Sequence, residues 1–202
     1  MIESYDDLAA RVLAAPPRLG RVRLVAVDGP SGAGKSNVAD RLAVALERQT
    51  GHPTPVVRTD DLLDGWDDQF TFWARLERDV LKPLAAGRPG RYRRYDWHQR
   101  AFGDATVDVV PAPVVIIEGV SAARAAIRPR LSLAVFVTAP SDLRLARALG
   151  RDGEALRAYL EKWRLRENRH FAADATAQHA DLVIDGAPEA AHDPAEQYLR
   201  AG

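Results

Sequence analysis

The sequence contains no cysteine and a single methionine. Without thiols there are no disulfides and no thiolate metal sites, which fits a reducing compartment. An excess of one charge sign is missing too. Lysine plus arginine total 28 and aspartate plus glutamate total 28, a formal net charge of zero. That balance gives no global attraction to DNA or to an anionic membrane, although local basic clusters stay open. No apolar run approaches the roughly 18 residues that would suggest a membrane span. The first residues, MIESYDDLAARVLAAPP, carry acids where a secretory signal would carry bases. Together these absences lead us to expect a cytoplasmic, soluble protein that engages neither membrane nor nucleic acid. A homo-oligomer stays open.

What is present is a chain of 202 residues, 47% hydrophobic, enough for one domain with a real core. Short apolar runs alternate with helical patterns. RVRLVAVD, PTPVVRTDD, APVVIIEG, LSLAVFVTAP and ADLVIDG predict strands over residues 22–28, 55–59, 113–118, 133–138 and 182–185. Between them, Val38, Leu42, Ala45 and Leu46 recur at helical spacing, with Gly51 as the stop. Phe70, Trp73, Leu76, Val80 and Leu84 form a second helical face, which Pro83 kinks or ends. Ser141 caps DLRLARALGRD, and a longer helix runs over residues 154–171. Ser4, with Asp7 three residues later, starts a short helix that Pro16 and Pro17 stop. GRPGRYRRYDWHQRAFG predicts a loop with a short strand. The alternation predicts an α/β fold, a five-stranded parallel sheet with helices on both faces. Residues 21–186 form its core. Residues 1–20 form an N-terminal helical segment and 187–202 a polar, partly ordered tail, all within one domain.

The stretch VAVDGPSGAGKSN answers the question of what this fold holds. Gly29, Gly34, Lys35 and Ser36 satisfy G-x-x-x-x-G-K-[ST] between a predicted strand and a predicted helix, the context the pattern requires. Glycines let backbone N–H groups approach phosphate oxygens closely. The helix starting near Lys35 aims its unpaired N–H groups at the same place. Lys35 brings a full charge to the terminal phosphates, and the Ser36 hydroxyl suits Mg²⁺. The loop Gly29, Pro30, Ser31, Gly32, Ala33, Gly34, Lys35, Ser36 and Asn37 is therefore the predicted site for a nucleoside triphosphate, ATP or GTP. Switch GTPases, motor ATPases and small-molecule kinases share it.

Carboxylates at other strand ends carry further information. Asp60 and Asp61 follow the second strand and face the open end of a parallel sheet, where ligands bind. There a carboxylate can accept a proton from an acceptor hydroxyl or join a Mg²⁺ shell. It can equally cap a turn. Glu118 follows four buried β-formers and needs a partner, either Mg²⁺ or an arginine. The five arginines of GRPGRYRRYDWHQRAFG, with Tyr95, Trp97 and His98, suit a pocket wall, a nucleic-acid patch or a solvated basic loop. Arg144, Arg147 and Arg151 recur at spacings of three and four, on one helical face. That face could neutralise a moving phosphoryl group or lie on a plain surface. Trp66, Trp73 and Trp163 suit core or pocket-rim positions.

In order and spacing, the loop, VVRTDDLLDGW, YRRYDWHQR and VVIIEGV together resemble the uridine kinase and phosphoribulokinase family of P-loop kinases, over residues 21–186. The resemblance implies the P-loop NTPase three-layer fold with a short arginine-rich lid. It implies phosphoryl transfer from ATP or GTP to a hydroxyl of a small molecule, a nucleoside such as uridine or cytidine, with Mg²⁺. It favours Asp60 over Asp61 as the base and as a ligand of Mg²⁺, with Ser36 and Glu118. It assigns Tyr95 and His98 to the acceptor and Arg144, Arg147 and Arg151 to the lid, with Arg147 serving both acceptor and catalysis. Three departures fall on the acceptor side. His98 follows Tyr95 more closely than in typical uridine kinases, the lid is several residues short, and GWDDQF replaces the usual acidic segment. That segment makes Asp67 a further acceptor candidate. The departures predict an acceptor pocket shaped differently from a standard uridine pocket. A nucleotide-operated switch or ATPase is the competing class, although no Asn-Lys-x-Asp segment is present.

Overall fold

The computed structural model describes residues 1–201. Its elements are β1 (Ile2–Ser4), α1 (Tyr5–Ala14), β2 (Arg23–Asp28), α2 (Lys35–Thr50), β3 (Val56–Arg58), α3 (Trp73–Leu76), α4 (Lys82–Ala85), β4 (Gly90–Asp96), β5 (Ala101–Val109), β6 (Val114–Glu118), β7 (Leu131–Thr138), α5 (Ser141–Asp152), α6 (Arg157–Asp174), β8 (Leu182–Asp185) and β9 (Gln197–Arg200). The main sheet runs in the order β1-β9-β8-β7-β2-β6-β3. The five strands read from the apolar runs pair in parallel, as expected. The sheet nevertheless has seven strands, because β9 joins β8 antiparallel and β1 joins β9. The tail is therefore not a loose end. Gln197–Arg200 is short and polar but buries Tyr198, whose hydroxyl donates to Glu3 at 2.6 Å. Strands of three or four residues with one anchoring side chain leave almost no periodic signal.

The core lies on both faces of the sheet. Along β2, Val25 and Val27 pack with Leu8 and Val12 of α1 and Leu42 and Leu46 of α2. Leu24 and Ala26 pack with Leu76, Val80 and Leu84 on the opposite face. Strands covered twice become continuous apolar runs, which is why β2 and β6 stand out in the sequence. Two of the expected caps form: the Ser4 side chain accepts from the Asp7 N–H at 3.0 Å, and the Gly51 N–H bonds the Glu47 carbonyl at 2.9 Å. The third does not: Ser141 is already the first residue of α5, one place past Pro140 at the cap position, so its side chain makes no cap bond. Between α3 and α4 the helix opens into a π turn over Glu77–Leu81, just ahead of Pro83. Proline cannot donate to the carbonyl four residues back, and its ring crowds that turn; a widened ladder accommodates both.

The basic segment is a hairpin rather than a loop with one short strand. β4 and β5 pair antiparallel, with a register shift between Arg93 and Tyr95. The shift lets Tyr92 and Tyr95 both face inward although they are three residues apart. β5 is mostly exposed, and its alternation of Asp104, Thr106 and Asp108 with Ala105, Val107 and Val109 is a period-two strand pattern that the expectation of a loop passed over.

Candidate active site

Parallel pairing of β2, β6 and β3 brings three chain segments together at the carboxyl ends of the strands: the glycine loop, Glu118, and Asp60 in the turn after β3. Gly32 sits at φ 77°, and a Cβ there would stand 2.4 Å from the Arg144 carbonyl, so the loop is pressed against α5. Lys35 is only 8% exposed, and its Nζ donates to the Pro30 carbonyl at 3.2 Å. Asp28, fully buried, braces the loop from behind by accepting from the N–H groups of Gly29, Ser121 and Ala123. Burial pushes its carboxyl up to about 7 despite those three donors and nearby Lys35.

Glu118 Oε2 accepts from the Ser36 hydroxyl at 3.3 Å and pairs with Arg58 at 3.2 Å. Arg58 also holds Asp40 at 2.8 Å. Burial raises the Glu118 carboxyl above the usual carboxylate range, and Asp60 adds to that, while Lys35, Arg58 and Ser36 oppose it. Of the two partners expected for Glu118, Mg²⁺ or an arginine, the structure shows the arginine. Gly119 lies at φ 145° with Thr59 so close that a Cβ would overlap its hydroxyl, so β3 and β6 deliver Asp60 and Glu118 at close range. The two neighbouring aspartates separate clearly. Asp61 accepts from the Tyr92 hydroxyl at 3.1 Å and from Arg94 at 3.0 Å, whereas Asp60 is exposed and lines a cavity.

That cavity has a volume of about 460 Å³. Ser31, Asp60, His98, Arg100, Arg151 and Asp152 supply its polar groups, and Leu63, Trp66, Trp97, Leu156, Leu160 and Trp163 its apolar walls. Trp66 is the hub of the wall, with ring centroids 5.2 Å from Trp97 and 5.6 Å from Trp163. Tyr95 does not line the cavity. It stands behind Trp97, edge-on at 5.1 Å, with Phe102 on its other side. Asp67 also lies off the cavity, paired with Arg166 at 2.9 Å. Of the basic cluster, Arg91 pairs with Asp108 and Arg94 with Asp61, which neutralises part of the patch.

The three arginines of α5 share a face but diverge in their contacts. Arg144 is 8% exposed and donates to the Ala139 carbonyl at 3.1 Å, and its Nη1 is buried without a partner. Arg147 bridges the carbonyls of Gly32 and Gly186, each at 3.1 Å. Arg151 pairs with Asp152 at 2.7 Å on the cavity wall. A fourth element of the site had no sequence signal. Glu167 of α6, fully buried, accepts from Ser31 in the glycine loop and from Trp163. A glutamate inside a strongly polar helix resembles any solvated one until its partners are known.

The oxygen donors of Ser36 and Glu118 fit Mg²⁺, a hard cation that keeps several waters and takes other ligands from phosphates. Asp60 is close enough to Glu118 to influence its proton affinity and so could extend the donor set. No group of three histidine, cysteine, aspartate or glutamate side chains forms a metal cluster among the described residues. A nucleotide-borne Mg²⁺ does not need one.

Comparison with known proteins agrees with this geometry. Residues 72–192, more than half of the chain, match the model of the phosphoribulokinase/uridine kinase family. A uridine kinase of Borrelia turicatae is 27% identical over 192 residues, covering 88% of this chain and 92% of that protein. One of Staphylococcus epidermidis is 25% identical, covering 82% and 88%. Two solved structures share the fold. A Silicibacter protein provisionally assigned as a fructose transport system kinase superposes with a TM-score of 0.70 at 24% identity, covering 90% of this chain and 98% of its own. A Bacillus stearothermophilus protein provisionally assigned as a uridine kinase gives 0.65 at 20%, covering 89% and 96%. No helix among the described residues is long and apolar enough to cross a membrane. The chain belongs to the phosphoribulokinase/uridine kinase family and is an ATP-dependent phosphotransferase acting on a small molecule.

Proposed function

We propose that this kinase transfers the γ-phosphoryl group of ATP, with GTP as the alternative donor, to a hydroxyl of a nucleoside in the cytoplasm. The observation that carries this reading is the cavity joining Asp60 and the glycine loop at one end to the walls of Trp66, Trp97 and Trp163. Aromatic faces suit a planar base, and the similarity to uridine kinases points the same way. In this mechanism Lys35 leaves the Pro30 carbonyl and takes the terminal phosphates, together with the loop amides. Mg²⁺, held through Ser36 and Glu118 with Asp60 nearby, would neutralise phosphate charge. Asp60 orients the acceptor hydroxyl and accepts its proton as the new O–P bond forms, and the bond to the β–γ bridging oxygen breaks to release ADP. Arg147 and Arg151 hold the loop and the cavity wall beside the reacting group and help exclude water.

A second reading is a non-nucleoside alcohol such as a sugar. The cavity lining contains no asparagine or glutamine amide to read the edge of a base. Product analysis with MgATP and a panel of uridine, cytidine, fructose and glycerate separates the readings. A nucleoside monophosphate as the main product is expected. Exclusive formation of a sugar or glycerate phosphate would replace the nucleoside reading by the second one. ATP consumption that no acceptor stimulates would remove both.

A further inference from the structure

Glu167 stands at the meeting point of the two halves of the site. It lies on α6, four residues after Trp163, so the two side chains share a helix face. Its carboxylate is fully buried and accepts four hydrogen bonds. Both oxygens take the Ser31 N–H at 3.2 Å, Oε1 takes the Ser31 hydroxyl in a short contact, and Oε1 takes the Trp163 indole N–H at 2.8 Å. The indole N–H also reaches the Ser31 hydroxyl at 3.2 Å. Every hydrogen bond its carboxylate makes in this structure is one it accepts, which suits a group with two oxygens and no N–H. Counter-charge comes from Arg144, which is buried nearby and feels the attraction of Glu167.

The two partners belong to different functions. Ser31 is a residue of the phosphate loop, and Trp163 is a wall of the acceptor cavity. Trp163 is itself fixed, because its carbonyl accepts from the buried Gln69 amide at 3.2 Å. With its amide and hydroxyl both engaged, Ser31 shapes the loop instead of offering free donors to phosphate. We propose that Glu167 is a positioning residue that couples the acceptor wall to the donor loop, so that the setting of the Trp163 indole determines how well the loop binds nucleotide. The proposal rests on the glycine loop being the donor site.

The chemistry makes a specific test available. In Glu167→Gln the side chain keeps its size but presents one oxygen and one NH₂ to three donors, leaving two donors facing each other. In Trp163→Phe one donor disappears. In the double variant the glutamine oxygen can accept from the Ser31 N–H while its NH₂ donates to the Ser31 hydroxyl, so the conflict is relieved. Affinity for a non-hydrolysable ATP analogue with Mg²⁺, measured by calorimetry on the full-length chain, is the readout. Wild-type protein is expected to bind. Glu167→Gln is expected to bind about tenfold more weakly. Trp163→Phe, changed on the acceptor side, is expected to weaken donor binding a few-fold. The double variant is expected to be no worse than Glu167→Gln, a non-additive cycle. A merely structural role would lower the melting temperature of Glu167→Gln and leave its analogue affinity at the wild-type value, and that outcome overturns the proposal. So do losses that simply multiply in the double variant. Should Glu167→Gln not fold, Ser31→Ala decides in its place. It keeps the amide bond and loses the hydroxyl, and a several-fold loss of analogue affinity is expected, with unchanged affinity overturning the coupling. Wild-type protein that binds no analogue would instead remove the donor-site reading on which the coupling depends.

Discussion

On the proposed function, the donor and acceptor ends of the cavity are built in different ways. At the donor end the parts are backbone: a loop pressed by Gly32 against α5, braced by Asp28, and continuous with α2. At the acceptor end the parts are side chains from three distant segments: the stretch after β3 with Asp60 and Trp66, the hairpin turn with Trp97 and His98, and α6 with Trp163. Backbone cradles tolerate little variation, because any Cβ in the wrong place collides. A side-chain wall can be redrawn one residue at a time, which is how related folds accept different alcohols.

Substitutions at the two ends sharpen that contrast. The largest effect is expected for Lys35→Ala, a loss of about a thousandfold in kcat, on the scale of deleting a preorganised charge. Among the described residues its side chain bonds only the Pro30 carbonyl, so the melting temperature should hardly change. Near-normal turnover in that variant would break the comparison at its donor end. Asp60→Asn comes next, with kcat lower by about a hundredfold and KM for the acceptor little altered. A change confined to KM would make Asp60 a binding group instead of a base.

Two acceptor-side substitutions test where the wall ends. His98 lines the cavity and its side chain makes no hydrogen bond in this structure, so His98→Ala is expected to raise acceptor KM about tenfold with a smaller loss in kcat. Tyr95 stands one ring further back. Tyr95→Phe keeps that packing and is expected to change KM by less than about threefold. Equal effects for the two would mean that the pocket extends behind Trp97.

The smallest effect concerns Asp28, which braces the donor loop without touching the cavity. Its folded-state carboxyl is raised from 3.8 to about 7. Between those values the folded protein holds a proton that the unfolded chain has released, so this group adds stability as the pH falls from 7 towards 4. Relative to Asp28→Asn, the wild-type protein is expected to gain roughly 2 kcal/mol of unfolding free energy between pH 7 and pH 5. Denaturant titrations at pH 7 and pH 5 check the sign, and parallel pH profiles for the two proteins would show that the carboxylate stays ionised on its three N–H groups.

The sequence by itself determined the parallel core and the donor loop. Both depend on local order: five doubly covered strands become unbroken apolar runs, and the phosphate loop needs its glycines, lysine and serine at fixed spacing. The pairing of Glu118 with Arg58 was among the readings available from a buried carboxylate at a strand end. Tertiary structure alone decided the rest. Asp60 and Asp61 are adjacent and chemically identical, and only the arrival of Tyr92 and Arg94 from the hairpin consumes one of them. Arg144, Arg147 and Arg151 have one spacing but three environments, because α5 passes from the core to the loop to the cavity. Glu167 gains its meaning from Ser31, which is 136 residues away in sequence. A carboxylate buried among donors does not differ in sequence from one in water, because the cost of burying it and the hydrogen bonds that offset that cost exist only once the chain has folded.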